Sequence, residues 1–98
     1  MNIQALMKQA QSMQKDMLKA KEEIDKMTFI GKSSLVEVEV DGTKKVLKIN
    51  INDKESISVE DLEMLEDMLV VAIDSAFSQV DDITAKKMGK FANMPGIF

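Results

Sequence analysis

The apolar positions of the first segment repeat with a helical period. Ile3, Leu6, Ala10, Met13, Met17, Ala20, Ile24 and Met27 follow one another at intervals of 3, 4, 3, 4, 3, 4 and 3 residues. That heptad spacing keeps a narrow apolar seam on one side of a helix. No glycine or proline interrupts it, and the residues between are good helix formers. The pattern predicts a helix from about Asn2 to Lys26. Such a helix is ~37 Å long, whereas a compact domain of this size has a radius of gyration of only ~13 Å. The helix must therefore span the domain or project from it, and a projecting apolar seam needs a partner.

The period then changes to two. The run from Met27 is short and β-prone, and Gly31 ends it. Val36, Val38 and Val40 alternate with Glu37 and Glu39, the pattern of a strand with one buried face. Asp41-Gly42 reads as a hairpin turn in which glycine accepts a positive φ. The returning strand places Leu47, Ile49 and Ile51 on one face, with Lys48 and Asn50 on the other. Together these give a three-stranded antiparallel meander whose apolar face must be covered.

A polar stretch, Asn52 to Ser58, leads into a second helix. Ser58 and Asp61 form a capping pair, and Glu60, Asp61 and Glu63 suit the positive end of the helix dipole. Leu62, Leu65, Leu69, Ala72, Ile73, Ala76, Val80 and Ile83 form its apolar stripe. The helix should run to about Met88 and stop at Gly89. The expected fold is α+β in the order α-β-β-β-α: a long N-terminal helix, a three-stranded antiparallel sheet and a C-terminal helix. Residues 1–90 form one domain, and residues 91–98, with Pro95 and Gly96, read as a flexible tail.

Composition narrows the chemistry. The 98 residues include no cysteine, histidine, tryptophan, tyrosine or arginine, so all 13 basic residues are lysine. The usual general base, the usual metal ligands and disulfides are thus excluded. Bidentate guanidinium recognition of guanine or carboxylate is excluded too. The four glycines are scattered singly, so there is no phosphate-cradling loop. The stretch from Asn50 fails as a calcium loop, because Lys54 occupies a ligand position. Ser33, Ser34 and Ser58 have no histidine to activate them. An enzyme is not expected, nor a cofactor, a metal site or a small-molecule substrate. The opening residues break their apolar pairs with glutamine or lysine, unlike a signal peptide. The longest apolar run, Met68 to Ile73, is shorter than the ~18–20 residues a membrane span needs. A soluble, cytoplasmic protein is expected.

The net charge of −4 conceals a strong asymmetry. Residues 1–32 carry +2, residues 33–52 are neutral, residues 53–83 carry −9, and residues 84–98 carry +3. On the first helix Lys8 and Lys15 share one heptad position, and Lys19 and Lys26 another, both turned away from the seam. The four make an outward stripe about 27 Å long. Lys19, Lys21 and Lys26 have acids three or four residues away, suited to weak surface pairing. Lys8 and Lys15 have none, which leaves their charge for an external anion. Lys86, Lys87 and Lys90 form a second basic group near the other end of the chain.

These segments, taken in order, resemble the YbaB/EbfC family of bacterial nucleoid-associated DNA-binding proteins over nearly the whole chain. LMKQAQSMQKDM resembles that family's opening helix, rich in Lys-Gln-Ala-Gln and Met-Gln. MTFIGKSSLVEVEVDGTKKVLKININ resembles its short strand and valine-alternating hairpin. LEMLEDMLVVAIDSAF resembles its Leu-Glu-Asp helix, and MPGIF its Pro-Gly tail. The chain departs in lacking arginine and in carrying Ser75 where asparagine-aspartate-alanine is usual. The resemblance implies a tweezer-like homodimer that binds duplex DNA in the nucleoid. Joined to the charge pattern, it suggests lysine–phosphate contact with weak sequence preference. Lys8, Lys15, Lys19 and Lys26 are the leading candidates, and Lys86, Lys87 and Lys90 the next. The rival is a protein-interaction module, a helical adaptor or chaperone that uses the exposed heptad seam.

Overall fold

A computed structural model describes residues 2–91. Helix α1 spans Ile3–Asp25. Asn2 caps it, its Oδ1 accepting from the N–H groups of Gln4 at 3.1 Å and Ala5 at 3.4 Å. Strands β1 (Thr28–Ser33), β2 (Val36–Asp41) and β3 (Val46–Ile51) follow as an antiparallel sheet in that spatial order. Helix α2 spans Leu62–Met88. The α-β-β-β-α order is the one the hydrophobic pattern predicts. Before α2 the chain makes a short 3-10 turn, Val59–Asp61, in which the Asp61 carboxylate accepts from both the N–H and the hydroxyl of Ser58.

The core lies where α2 crosses β1 and β2. Val36, Val38 and Val40 are fully buried against Phe29, Leu65, Ala72, Ala76 and Val80. Gly31 permits this close crossing. A Cβ there would lie 1.9 Å from the Ala72 carbonyl oxygen and 2.6 Å from the Ala76 nitrogen. Gly31 is thus a close-approach residue inside β1, which continues to Ser33; it does not end the strand. Gln79 Nε2 donates to the Ile30 carbonyl at 2.7 Å and ties α2 to the same strand.

The returning strand differs from its sequence pattern in one place. Val36 faces Ile51, Val38 faces Ile49 and Glu39 faces Lys48, but Val40 faces Val46. Leu47 is the extra residue of a bulge, so Val46 rather than Leu47 completes the row opposite the valines. Because α2 lies over β1 and β2, β3 is left at the margin, and Val46, Leu47 and Ile49 remain exposed.

Gly42 also has a role the turn motif conceals. Its backbone is not in the left-handed region; a Cβ there would meet the Ile24 carbonyl oxygen at 1.8 Å. The β2–β3 turn is the seat on which the last turn of α1 rests. The left-handed residue is Lys44, at φ 67°. Asp41 organises the turn by accepting from the N–H groups of Thr43 at 2.9 Å and Lys45 at 3.0 Å, and from the Thr43 hydroxyl. The Thr43 hydroxyl, followed by the Lys45 N–H, holds the Asp41 carboxyl below the usual carboxylate range. Lys44 Nζ lies 2.8 Å from Asp81 and over the ring of Phe77, fastening the turn to α2.

The overall shape is long: 71 × 18 × 15 Å, with a radius of gyration of 19.7 Å. The excess over the ~13 Å of a compact domain comes from α1, which projects as an arm. Ile24 is buried, and Met13, Met17 and Ala20 are half-buried at its base; residues 2–12 are exposed throughout. Past α2, a 3-10 turn over Gly89–Phe91 seats Phe91 in the body at 3% exposure. The rest of the expected tail lies outside the described residues. Gly89 has helical dihedrals, φ −59° and ψ −34°, so the chain turns on through it rather than breaking there.

Candidate functional site

The arm is the most unusual surface of the molecule. Helix propensity and the Asn2 cap favour the helix over its exposed outer part, and the base of the seam anchors it against α2 and the β2–β3 turn. Met17, Lys21, Ile24, Asp25, Gly42, Thr84 and Met88 line a groove of about 350 Å³ at that junction. The arm is ~35 Å long at 1.5 Å per residue, and its diameter with side chains is ~10–12 Å.

Lys8, Lys15 and Lys19 are exposed along α1, and Lys26 is exposed at its C-terminal cap. The expected pairing of Lys19, Lys21 and Lys26 with neighbouring acids does not form. Among the described residues the ion pairs are Lys32–Glu37 on the sheet and Lys44–Asp81 at the turn. Among the described residues none of the four stripe lysines has an ion-pair partner, although Lys19 shares a groove with Asp16 and Glu23.

The two basic groups meet at the base of the arm. Lys90 lines a shallow groove with Asp16, Lys19, Ala20 and Glu23 of α1. Lys86 and Lys87 lie in the last turn of α2, where cations also complement the helix dipole. The acidic block runs the other way. From Thr84, at the base of the arm, to Glu63 is about 31 Å along α2, about three Debye lengths at 0.1 M salt. Asp81, at the end of the block nearer the arm, is already paired with Lys44. The molecule is basic on the outer part of its arm, where Lys8 and Lys15 precede the first acid, mixed in charge between Asp16 and Asp25, and acidic at the far end of its body.

Lysines alone do not make up this surface. Gln4, Lys8, Gln11 and Lys15 recur at i, i+4, i+7 and i+11, all exposed, within a sector about 60° wide opposite the seam. The signal for it in the sequence is the absence of any acid before Asp16. No group of three or more metal-ligating side chains occurs among the described residues. None of the described helices is long and apolar enough to cross a membrane.

A family model described as the YbaB/EbfC DNA-binding family matches residues 1–95. A protein of Lactococcus lactis subsp. cremoris named nucleoid-associated protein is 46% identical over 93 residues, covering 93% of each chain. One of Streptococcus pneumoniae (strain Hungary19A-6), with the same name, is 47% identical over 94 residues, covering 94% of each. The crystal structure of an uncharacterized protein from Helicobacter pylori shares the fold. Its TM-score is 0.75 at 19% identity, over 93% of this chain and 97% of that one.

Proposed function

The chain belongs to the YbaB/EbfC DNA-binding family, and on that premise we propose that it is a nucleoid-associated, non-enzymatic protein that binds duplex DNA as a homodimer. The observation that carries this reading is the projecting arm with four exposed lysines that have no ion-pair partner among the described residues. Lys8, Lys15, Lys19 and Lys26 contact phosphates and displace condensed counterions; Lys86, Lys87 and Lys90 add charge at the base. Phosphate contact fixes position without reading sequence, so preference among duplexes is weak. The acidic half of α2 is held away from the nucleic acid, which lets an acidic protein bind a polyanion through local fields. The names of its relatives support a place in the nucleoid.

Dimerisation is supported by the exposed apolar residues of β3, Val46, Leu47 and Ile49. A second copy that covers β3 would leave both arms projecting. Static light scattering at micromolar concentration should give about twice the 11.0 kDa subunit mass; a monomer would contradict the homodimer.

Duplex DNA should compete better than a single strand of equal length. Single-strand binders stack bases on aromatic platforms, and the four phenylalanines here include Phe29 and Phe91, both buried. Equal or tighter binding to single strands would overturn the duplex assignment. The exposed seam also suits a protein partner. Salt-insensitive capture of an apolar helix, with no DNA affinity, would favour that adaptor reading instead.

A further inference from the structure

We propose that Gln11 and Gln4 read adenine edges in the major groove, making the outer face of the arm a base-reading surface as well as an electrostatic one. The inference rests on the DNA-binding reading above and assigns the source of whatever sequence preference exists.

Three observations point to it. First, residues 2–12 are exposed on every side, so this stretch, about 15 Å long, can enter a groove without the body colliding with the duplex. A helix of ~10–12 Å diameter matches a major groove ~12 Å wide. Second, Gln4 and Gln11 alternate with Lys8 and Lys15 in one narrow sector. A lysine that reaches phosphate on this face brings the neighbouring amide toward the base edges. Third, those amides have no competing partner. Among the described residues, the glutamine amide with a hydrogen-bond partner is that of Gln79.

The chemistry is specific. A glutamine amide offers a donor and an acceptor in one plane. Nε2–H donates to adenine N7 while Oε1 accepts from the adenine N6 amino group, a pairing no other base pair reproduces in the major groove. Gln4 and Gln11 are seven residues apart, about 10.5 Å along the helix. At ~3.4 Å per base step, that separation corresponds to about three steps. With two amides per arm and no arginine, the preference stays modest: about fivefold or more for A·T over G·C at each position read.

The test is selection of bound duplexes from a random pool by the full chain, with Gln11→Ala and Gln4→Ala tested in parallel. Neither substitution alters charge, and alanine is the better helix former, so fold and salt dependence should remain. The wild-type protein should enrich A·T pairs at two positions about three steps apart in each half-site. Gln11→Ala should flatten one position and Gln4→Ala the other, with unchanged salt slopes. Salt-dependent binding by the wild type with no enriched position would overturn this proposal and leave the DNA-binding reading intact. An enriched pattern that survives both substitutions would also overturn it. No duplex binding at low salt would overturn both.

Discussion

Gly31→Ala should deprive the protein of most of its stability. The new methyl would sit 1.9 Å from the Ala72 carbonyl oxygen and 2.6 Å from the Ala76 nitrogen. Both are backbone atoms of α2, so no side chain can swing aside. The helix must lift from β1, and lifting it uncovers Val36, Val38 and Val40, the residues of the sheet that are fully buried. Overpacking ordinarily costs ~1–3 kcal/mol; a clash against rigid backbone belongs in the exceptional class of ~4 kcal/mol or more. For a domain of this size that corresponds to a fall in Tm of roughly 15–30 °C. Gly89→Ala is the internal control. Gly89 has helical dihedrals, and a Cβ there would meet no atom within 4 Å, so alanine should be neutral or stabilising by about 0.4–1 kcal/mol. Thermal unfolding followed by circular dichroism at one protein concentration checks both. A Gly31→Ala midpoint within a few degrees of wild type would contradict the packing of α2 on β1.

The double substitution Lys8→Ala, Lys15→Ala should produce a large loss of DNA affinity while the fold stays intact. Both side chains are exposed and outside the body, so stability should change by no more than about 0.5 kcal/mol. In a symmetric dimer that engages DNA with both arms, the change removes four charges. Each phosphate contact contributes about 0.9 to the slope of log K against log salt, so its magnitude should fall by about 3.6, or by about 1.8 if one arm engages. Near 0.1 M salt the affinity should drop by roughly two to four orders of magnitude, according to whether one arm or both engage. Unrelated duplexes should lose about equally, since phosphate contacts carry no sequence information. If slope and affinity are unchanged in a folded variant, the arm is a solvated helix face, and Lys86, Lys87 and Lys90 become the leading contacts.

The elements of this fold are legible because each is written in local periodicity. The heptad from Ile3 to Met27 and the alternation Val36-Val38-Val40 each fix an element and the face it turns inward. What is not legible depends on the partner that an element meets. Gly31 looks like a strand terminator until α2 is laid across it. Gly42 looks like a turn glycine, yet its reason is the carbonyl of Ile24, and the left-handed backbone falls on Lys44. The bulge at Leu47 is hidden because Leu47, Ile49 and Ile51 alternate as cleanly as a regular strand. The same limit applies to the site. The exposure of Lys8 and Lys15 follows from the heptad, but the approach of Lys90 to Lys19 requires α2 to dock against α1. The absence of ion pairs for Lys19 and Lys26 depends on side-chain placement that spacing alone does not determine.

One titration bears most directly on lysine–phosphate binding: the affinity of the wild-type dimer for two unrelated duplexes of equal length, measured at several salt concentrations. Eight arm lysines, four from each subunit, predict a slope of log K against log salt of about −7 for each of the two duplexes. A slope near zero, or no binding to either duplex at low salt, would contradict it.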